Sequence, residues 1–200
     1  MNKKLFILPL MAFLLAGCGG GGESGGGGGG GGGGAKAIAT YDFTGLTEKG
    51  TEIATADAFG ETLSSVCDGE DIVSSVNSIS KLYDGNGQGG VFANASGFIK
   101  MGTGKVNGVI DLTLSKSIKK VVLNCHSFYA SSTDYPTNTT NFISVNSGTA
   151  VAMPYNATGA GEDLSFEVSG TSLKIETSNP APTDNTTAGR GYLFSITLYA

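Results

Sequence analysis

Few residues in this chain could do chemistry, and their spacing excludes most of what they could do. Cys67, Cys125 and His126 would supply a nucleophile or a metal site. Cys125 and His126 are neighbours in a β-type run, so their side chains point to opposite faces of a strand and cannot form a dyad with each other. His126 is the only histidine, which leaves too few ligands for a structural zinc and no second base for a serine or cysteine hydrolase. The stretch Asp84-Gly85-Asn86-Gly87-Gln88-Gly89-Gly90 offers two patterns at once. Read as G-x-G-x-x-G, with Asp111 further on, it would cradle a pyrophosphate only if a helix opened at Gly90. Val91 to Gly97 has small polar breaks and ends in glycine, so the pattern reads as a loop. Read as a calcium loop, it has Ala95 where the bidentate glutamate belongs, which excludes an EF-hand. Asp68, Glu70 and Asp71 could hold calcium in another way, but a solvated acidic turn is the default for such a cluster. Two acids suffice for a glycosidase, yet the seventeen acids are spread along the chain and no pair stands out. The expectation is a protein that is not an enzyme, with no catalytic residues, no cofactor and no resident metal.

Sugar binding asks for less: an exposed aromatic ring flanked by amides, the flat face packing on a pyranose. Tyr135 and Tyr155 each stand beside a proline, and Asn156 follows Tyr155. A proline restrains the backbone, so such a ring is partly pre-organised and loses less entropy on binding. Tyr135, Tyr155 and Asn156 are therefore the candidate ligand contacts, with Tyr83, Asn86 and Gln88 as a further group. The competing role is structural, since tyrosines bridge core and rim in any β-sandwich. Tryptophan, the best stacking residue, is absent. Asn94, Asn138, Asn156 and Asn185 head N-x-[ST] tripeptides, which read here as loop chemistry.

The elements that must position these residues are mostly strands. Short segments rich in Val, Ile, Thr, Phe and Tyr alternate with Gly, Asn, Ser and Asp, the punctuation of an antiparallel β protein. Ile110, Leu112 and Leu114 alternate with polar residues, as do Leu164, Phe166 and Val168, so each set turns one face inward. Further strands are expected over Lys119–Tyr129, Asn141–Asn146, Ser172–Thr177 and Gly191–Tyr199, and near Ala39–Phe43, Val76–Tyr83 and Phe98–Met101. Asn146-Ser147-Gly148 and Val168-Ser169-Gly170 read as tight turns. Phe59, Leu63, Val66 and Cys67 make a helical stripe, with Thr55 or Asp57 as N-cap. The expected fold is an all-β, jelly-roll sandwich of about eight or nine strands with one short helix.

The start of the chain has a different character. Lys3 and Lys4 precede an apolar run from Leu5 to Leu15, too short for a permanent spanning helix, which needs about 20 apolar residues. The run ends in Leu15-Ala16-Gly17-Cys18, which resembles the lipobox of bacterial lipoproteins at every position. That resemblance implies lipid attachment at Cys18, cleavage before it, and a mature protein held to a membrane. Gly19 to Gly34 contains only Glu23 and Ser24 besides glycine, a flexible tether with a typical reach of roughly 20–25 Å. The organisation expected is thus a signal peptide over 1–17, a lipidated cysteine and tether over 18–34, and one sandwich domain over 35–200. About 165 residues are enough for one sizeable core. The formal charge is −5 for the whole chain and becomes −7 once Lys3 and Lys4 leave with the leader. One arginine, Arg190, and scattered lysines give no basic face for nucleic acid.

A second resemblance covers most of the domain. The segments Tyr41-Asp42-Phe43, Gly97-Phe98-Ile99-Lys100-Met101-Gly102, Lys120-Val121-Val122-Leu123-Asn124-Cys125, Ile143-Ser144-Val145-Asn146-Ser147-Gly148 and Arg190-Gly191-Tyr192-Leu193-Phe194-Ser195-Ile196-Thr197-Leu198 occur in this order. They look like the jelly-roll domains of bacterial surface lipoproteins, which are similar in shape to galactose-binding-like carbohydrate modules. The resemblance implies a binding or display domain and transfers no ligand residues. The expected function is a non-catalytic, carbohydrate-binding-like protein on the bacterial cell surface, anchored to the plasma membrane or outer membrane by the lipid on Cys18. Its partners would be that membrane and an extracellular glycan or surface protein. The alternatives are a structural or display protein with no small ligand, and a small extracellular hydrolase.

Overall fold

The computed structural model describes residues 35–87, 92, 94–128, 141–156, 158–181 and 186–200, all within the folded unit Gly34–Ala200. The leader 1–17, Cys18 with the tether 18–34, and Tyr135 lie outside the described residues. Among the described residues there are eleven strands: β1 (Ala37–Asp42), β2 (Thr51–Ile53), β3 (Cys67–Gly69), β4 (Val73–Ser80), β5 (Leu82–Asn86), β6 (Ala95–Met101), β7 (Val109–Ser127), β8 (Phe142–Val145), β9 (Val151–Ala152), β10 (Glu162–Ser178) and β11 (Gly191–Tyr199). One α-helix, α1 (Ala56–Val66), lies between β2 and β3. All pairings are antiparallel. Hydrogen bonding runs in the order β2-β5-β6-β11-β7-β10-β8-β9, with β1 joined to β11 and β3, and β4 joined to β7.

The all-β sandwich is the expected one, but its strands are cut differently. Ile110–Leu114 and Lys119–Tyr129 fuse into the 19-residue β7, and Leu164–Val168 and Ser172–Thr177 fuse into the 17-residue β10. The turn expected at Val168-Ser169-Gly170 is instead an irregularity inside β10. Gly170 has φ +111°, and the β10–β7 register shifts on both sides of it. A glycine at positive φ serves a bulge as well as a turn, and here it bends the chain without reversing it. On β7 the buried positions change parity at the same level, from Ile110, Leu112, Leu114 and Ile118 to Val121, Leu123 and Cys125. Strands that bend in this way carry a sheet over from one layer of a sandwich to the other. The expected Val76–Tyr83 segment divides into β4 and β5 at Lys81, which has φ +48°. The remaining extra strands are short edge pieces, β2, β3 and β9.

Two local expectations hold. Asn146 and Ser147 take φ of +49° and +58°, and Gly148 N donates to Val145 O at 2.8 Å, closing the β8–β9 hairpin. Helix α1 is capped by Thr55, whose Oγ1 accepts from Ala58 N at 3.2 Å, and it buries Phe59 and Leu63. Cys67 is its C-cap. Asp71, from the acidic cluster, is committed to structure: it accepts from Tyr41 Oη at 3.0 Å and from Ser64 Oγ at 2.7 Å, tying α1 to β1. Glu70 pairs with Lys116 at 2.6 Å. Among the described residues, no grouping of His, Cys, Asp or Glu could hold a metal ion, and no helix is long and apolar enough to cross a membrane.

The main core gathers the inward residues of both layers, including Tyr41, Phe43, Leu82, Ile99, Met101, Leu123, Leu173, Ile175 and Ile196, with Leu164, Phe166 and Val168 packed at its margin. Cys125 lies inside it, and Cys67 and Cys125 are both free thiols. Burial pushes the Cys125 thiol up to about 12, with Asp163 and Glu162 adding to it. The thiolate is the reactive form, so Cys125 should resist a water-soluble alkylating reagent in the native protein. Intact-mass analysis after alkylation in denaturant without reductant should show two added groups on Cys67 and Cys125. A product with none would reveal a disulfide.

Candidate functional site

The sheet formed by β2, β5, β6, β11 and β7 has a second face, opposite the main core. Strand alternation sends Leu82, Ile99, Met101, Leu193 and Cys125 inward and Tyr83, Phe98, Lys100, Tyr192 and His126 the other way. Register places one outward residue of each strand side by side, in the row Glu52–Tyr83–Lys100–Tyr192–His126. The ends of this row differ in character.

The His126 end is closed. Phe98, Phe128 and Tyr192 form a small buried cluster, with Phe92 and Phe194 packed against it. The Phe92 ring stands edge-on to Tyr192 at 4.6 Å and to Phe98 at 5.6 Å, a geometry favoured by aromatic quadrupoles. His126 is fully buried, its ring 5.9 Å from Tyr155 and 6.0 Å from Phe92. Its Nε2 accepts from Asn156 N at 3.1 Å, and its Nδ1 lies 2.7 Å from Ser127 O. That pattern assigns the ring proton to Nδ1, which donates to the carbonyl. Both ring nitrogens are thereby engaged with backbone, and the Cys125 thiol lies across the sheet.

Of the three expected ligand contacts, Tyr135 lies outside the described residues. Tyr155 is half-buried and tilted against His126. Asn156 organises its own loop: Nδ2 donates to Ala160 O and to Glu162 Oε1, both at 2.9 Å, while Oδ1 accepts from Thr158 Oγ1 at 2.8 Å.

The Tyr83 end is open. A cleft of about 480 Å³ lies here, lined by Lys49, Tyr83, Asn86, Asn94 and Lys100 and by the backbone of Gly50 and Gly87. Its floor depends on close backbone approach. Gly50 has φ +90°, a Cβ on it would collide with Gly87 N, and its N–H donates to Asp84 O at 2.6 Å. No residue with a side chain fits that position without moving the loop off β5. Asn86 is buried, and its Nδ2 donates to Phe92 O at 3.2 Å, linking the cleft to the aromatic cluster. The Lys100 ammonium sits over the Tyr83 ring, 4.5 Å from its centroid. Burial pushes the Lys100 ammonium below its usual range, and Arg190 pushes it the same way. Arg190 itself lies over Phe128 at 3.9 Å.

Tyr83 and Asn86 were legible as candidates from their types and spacing. Lys49 and Lys100 were not, because only the pairing of β5 with β6 and the packing of the loop before β2 bring them to Tyr83. No family model, curated protein or solved structure matches this chain.

Proposed function

We propose that the protein is a lipid-anchored bacterial surface lipoprotein whose β-sandwich binds an extracellular glycan, without catalysis, at the Tyr83–Lys100 cleft. The observation that carries this reading is the cleft itself. It joins an aromatic ring, two amide side chains and two ammonium groups at one open site on a sheet face. Its volume lies within the usual range for small-ligand pockets. The exposed amide of Asn94 offers both a donor and an acceptor to sugar hydroxyls, and the tyrosine adds apolar surface to the polar walls. At the other end of the row the one histidine is held by backbone on both nitrogens, which suits packing better than proton transfer.

Calorimetry of the full-length protein in detergent, against cell-wall and host glycans, tests the reading. Tyr83→Ala should weaken binding by about 0.5–1.5 kcal/mol, the range for an aromatic contact, with little change in melting temperature. Tyr155→Ala examines the alternative end of the row. Weaker binding at unchanged melting would move the ligand to Tyr155 and Asn156, and lower melting at unchanged affinity would place Tyr155 among the packing residues. If no glycan binds at millimolar concentration, a display protein that contacts other surface proteins replaces this reading.

A further inference from the structure

The charges around the cleft narrow its ligand to a class. We infer that it takes an acidic glycan, whose uronic-acid carboxylate is drawn in by Lys100 and Lys49. This rests on the reading of the cleft as the binding site and adds the chemistry of what enters it.

Among the described residues, the lining holds two ammonium groups and no carboxylate, on a chain whose formal charge is −5. The ion pairs among the described residues, Lys81–Glu52, Lys116–Glu70 and Lys174–Glu176, leave Lys49 and Lys100 out. The acids nearest in sequence are turned away or occupied. Asp84 follows Tyr83 in β5, and alternation sends it to the other side of the strand. Glu52, opposite Tyr83 on β2, is held by Lys81 at 2.8 Å. Glu48 accepts from Thr51 Oγ1 at 3.1 Å.

Lys100 is therefore an unusual lysine. It is half-buried between Tyr83 and Tyr192 in the cross-strand row, and no carboxylate among the described residues neutralises it. Arg190 adds a second positive charge from β11's leading end, and its buried Nε has no hydrogen-bond partner among the described residues. The face of Tyr83 offsets part of the cost of holding an ammonium out of water, and the charged group that acts on Lys100 is the cation Arg190. An anion arriving there meets partly desolvated charges, and the attraction exceeds that of a lysine in open solvent. Lys49, exposed at the rim, adds to the attraction at longer range. Asn94 and the ring of Tyr83 are contacts suited to the sugar carrying the acid rather than to a bare ion. An ammonium attracts carboxylate and phosphate alike, so the choice of carboxylate rests on the sugar contacts beside the lysines, the ring of Tyr83 and the amide of Asn94, and inorganic phosphate serves as the competing probe.

The test uses the full-length protein in detergent with three probes: trigalacturonate, neutral galactotriose and inorganic phosphate. Trigalacturonate should bind about tenfold or more tighter than galactotriose at low salt. That advantage should shrink as ionic strength rises from about 0.05 M to about 0.5 M, where exposed charges are screened. Lys100→Gln and Lys49→Gln should each reduce uronate affinity several-fold, a larger loss than either causes for the neutral trimer, and Lys100→Arg should retain most of the uronate affinity. Equal affinity for the neutral trimer would overturn the acidic assignment and leave the glycan-binding reading intact. Phosphate binding tighter than uronate, with the same lysine dependence, would overturn the choice of carboxylate. No binding by any probe would remove both.

Discussion

Cys18→Ala should shift essentially all of the protein out of the lipidated, membrane-held fraction, the largest effect expected of any single change. A thiol carries the diacylglyceryl group in the proposed anchor, and alanine has no atom to accept it. Two or three acyl chains on one residue make a stable anchor, whereas one chain is marginal. No helix among the described residues could substitute by crossing the bilayer. The variant should also keep its leader, because the lipoprotein-specific peptidase acts after lipid transfer, so the uncleaved form should be larger by the first seventeen residues. Metabolic labelling with a fatty acid and partitioning in a cloud-point detergent read both effects. Wild-type protein that stays unlabelled in the aqueous phase would sink the anchor and, with it, the surface assignment.

Phe59→Ala is expected to cost the domain about 3–5 kcal/mol, the range for removing a buried phenylalanine. Phe59 and Leu63 are the two buried side chains of α1, both fully covered, and the helix lies against β4 and β1. The melting temperature should fall by about 2–4 °C for each kcal/mol in a domain of this size. Thr55→Ala provides a scale, since losing the N-cap bond to Ala58 should cost only about 1 kcal/mol. Urea denaturation of the two variants decides the matter. A loss below about 1 kcal/mol for Phe59→Ala would mean that α1 lies outside the cooperative unit. Glycan affinity should survive both changes at temperatures where the protein remains folded, because neither residue lines the cleft.

Local patterns carried the class of the fold. Alternation at Ile110, Leu112 and Leu114 marks a strand with one buried face whatever its neighbours are, and those three residues are buried. The stripe at Phe59 and Leu63 and the cap at Thr55 place α1 because helix periodicity and capping involve only residues a turn apart. Asn146-Ser147-Gly148 reads correctly as a hairpin turn for the same reason. The likeness of Leu15-Ala16-Gly17-Cys18 to a lipobox is equally local, a matter of four adjacent residue types. Gly170 is where local reading fails: a glycine between two apolar runs fits a reversal or a bulge, and only the partner strand, continuous through Ile118 as β7, chooses the bulge. The site is less legible still. A period of two tells which face a side chain takes but not which strand lies beside it. Tyr83, Lys100 and His126 come from the successive strands β5, β6 and β7 and Tyr192 from the last strand, and they form one row because β11 pairs with both β6 and β7 and so lies between them. Antiparallel register across distant segments is settled by the packing of the whole core. Before that core forms, Lys100 is an ordinary lysine in a strand; within it, Lys100 becomes a half-buried cation beside an open cleft.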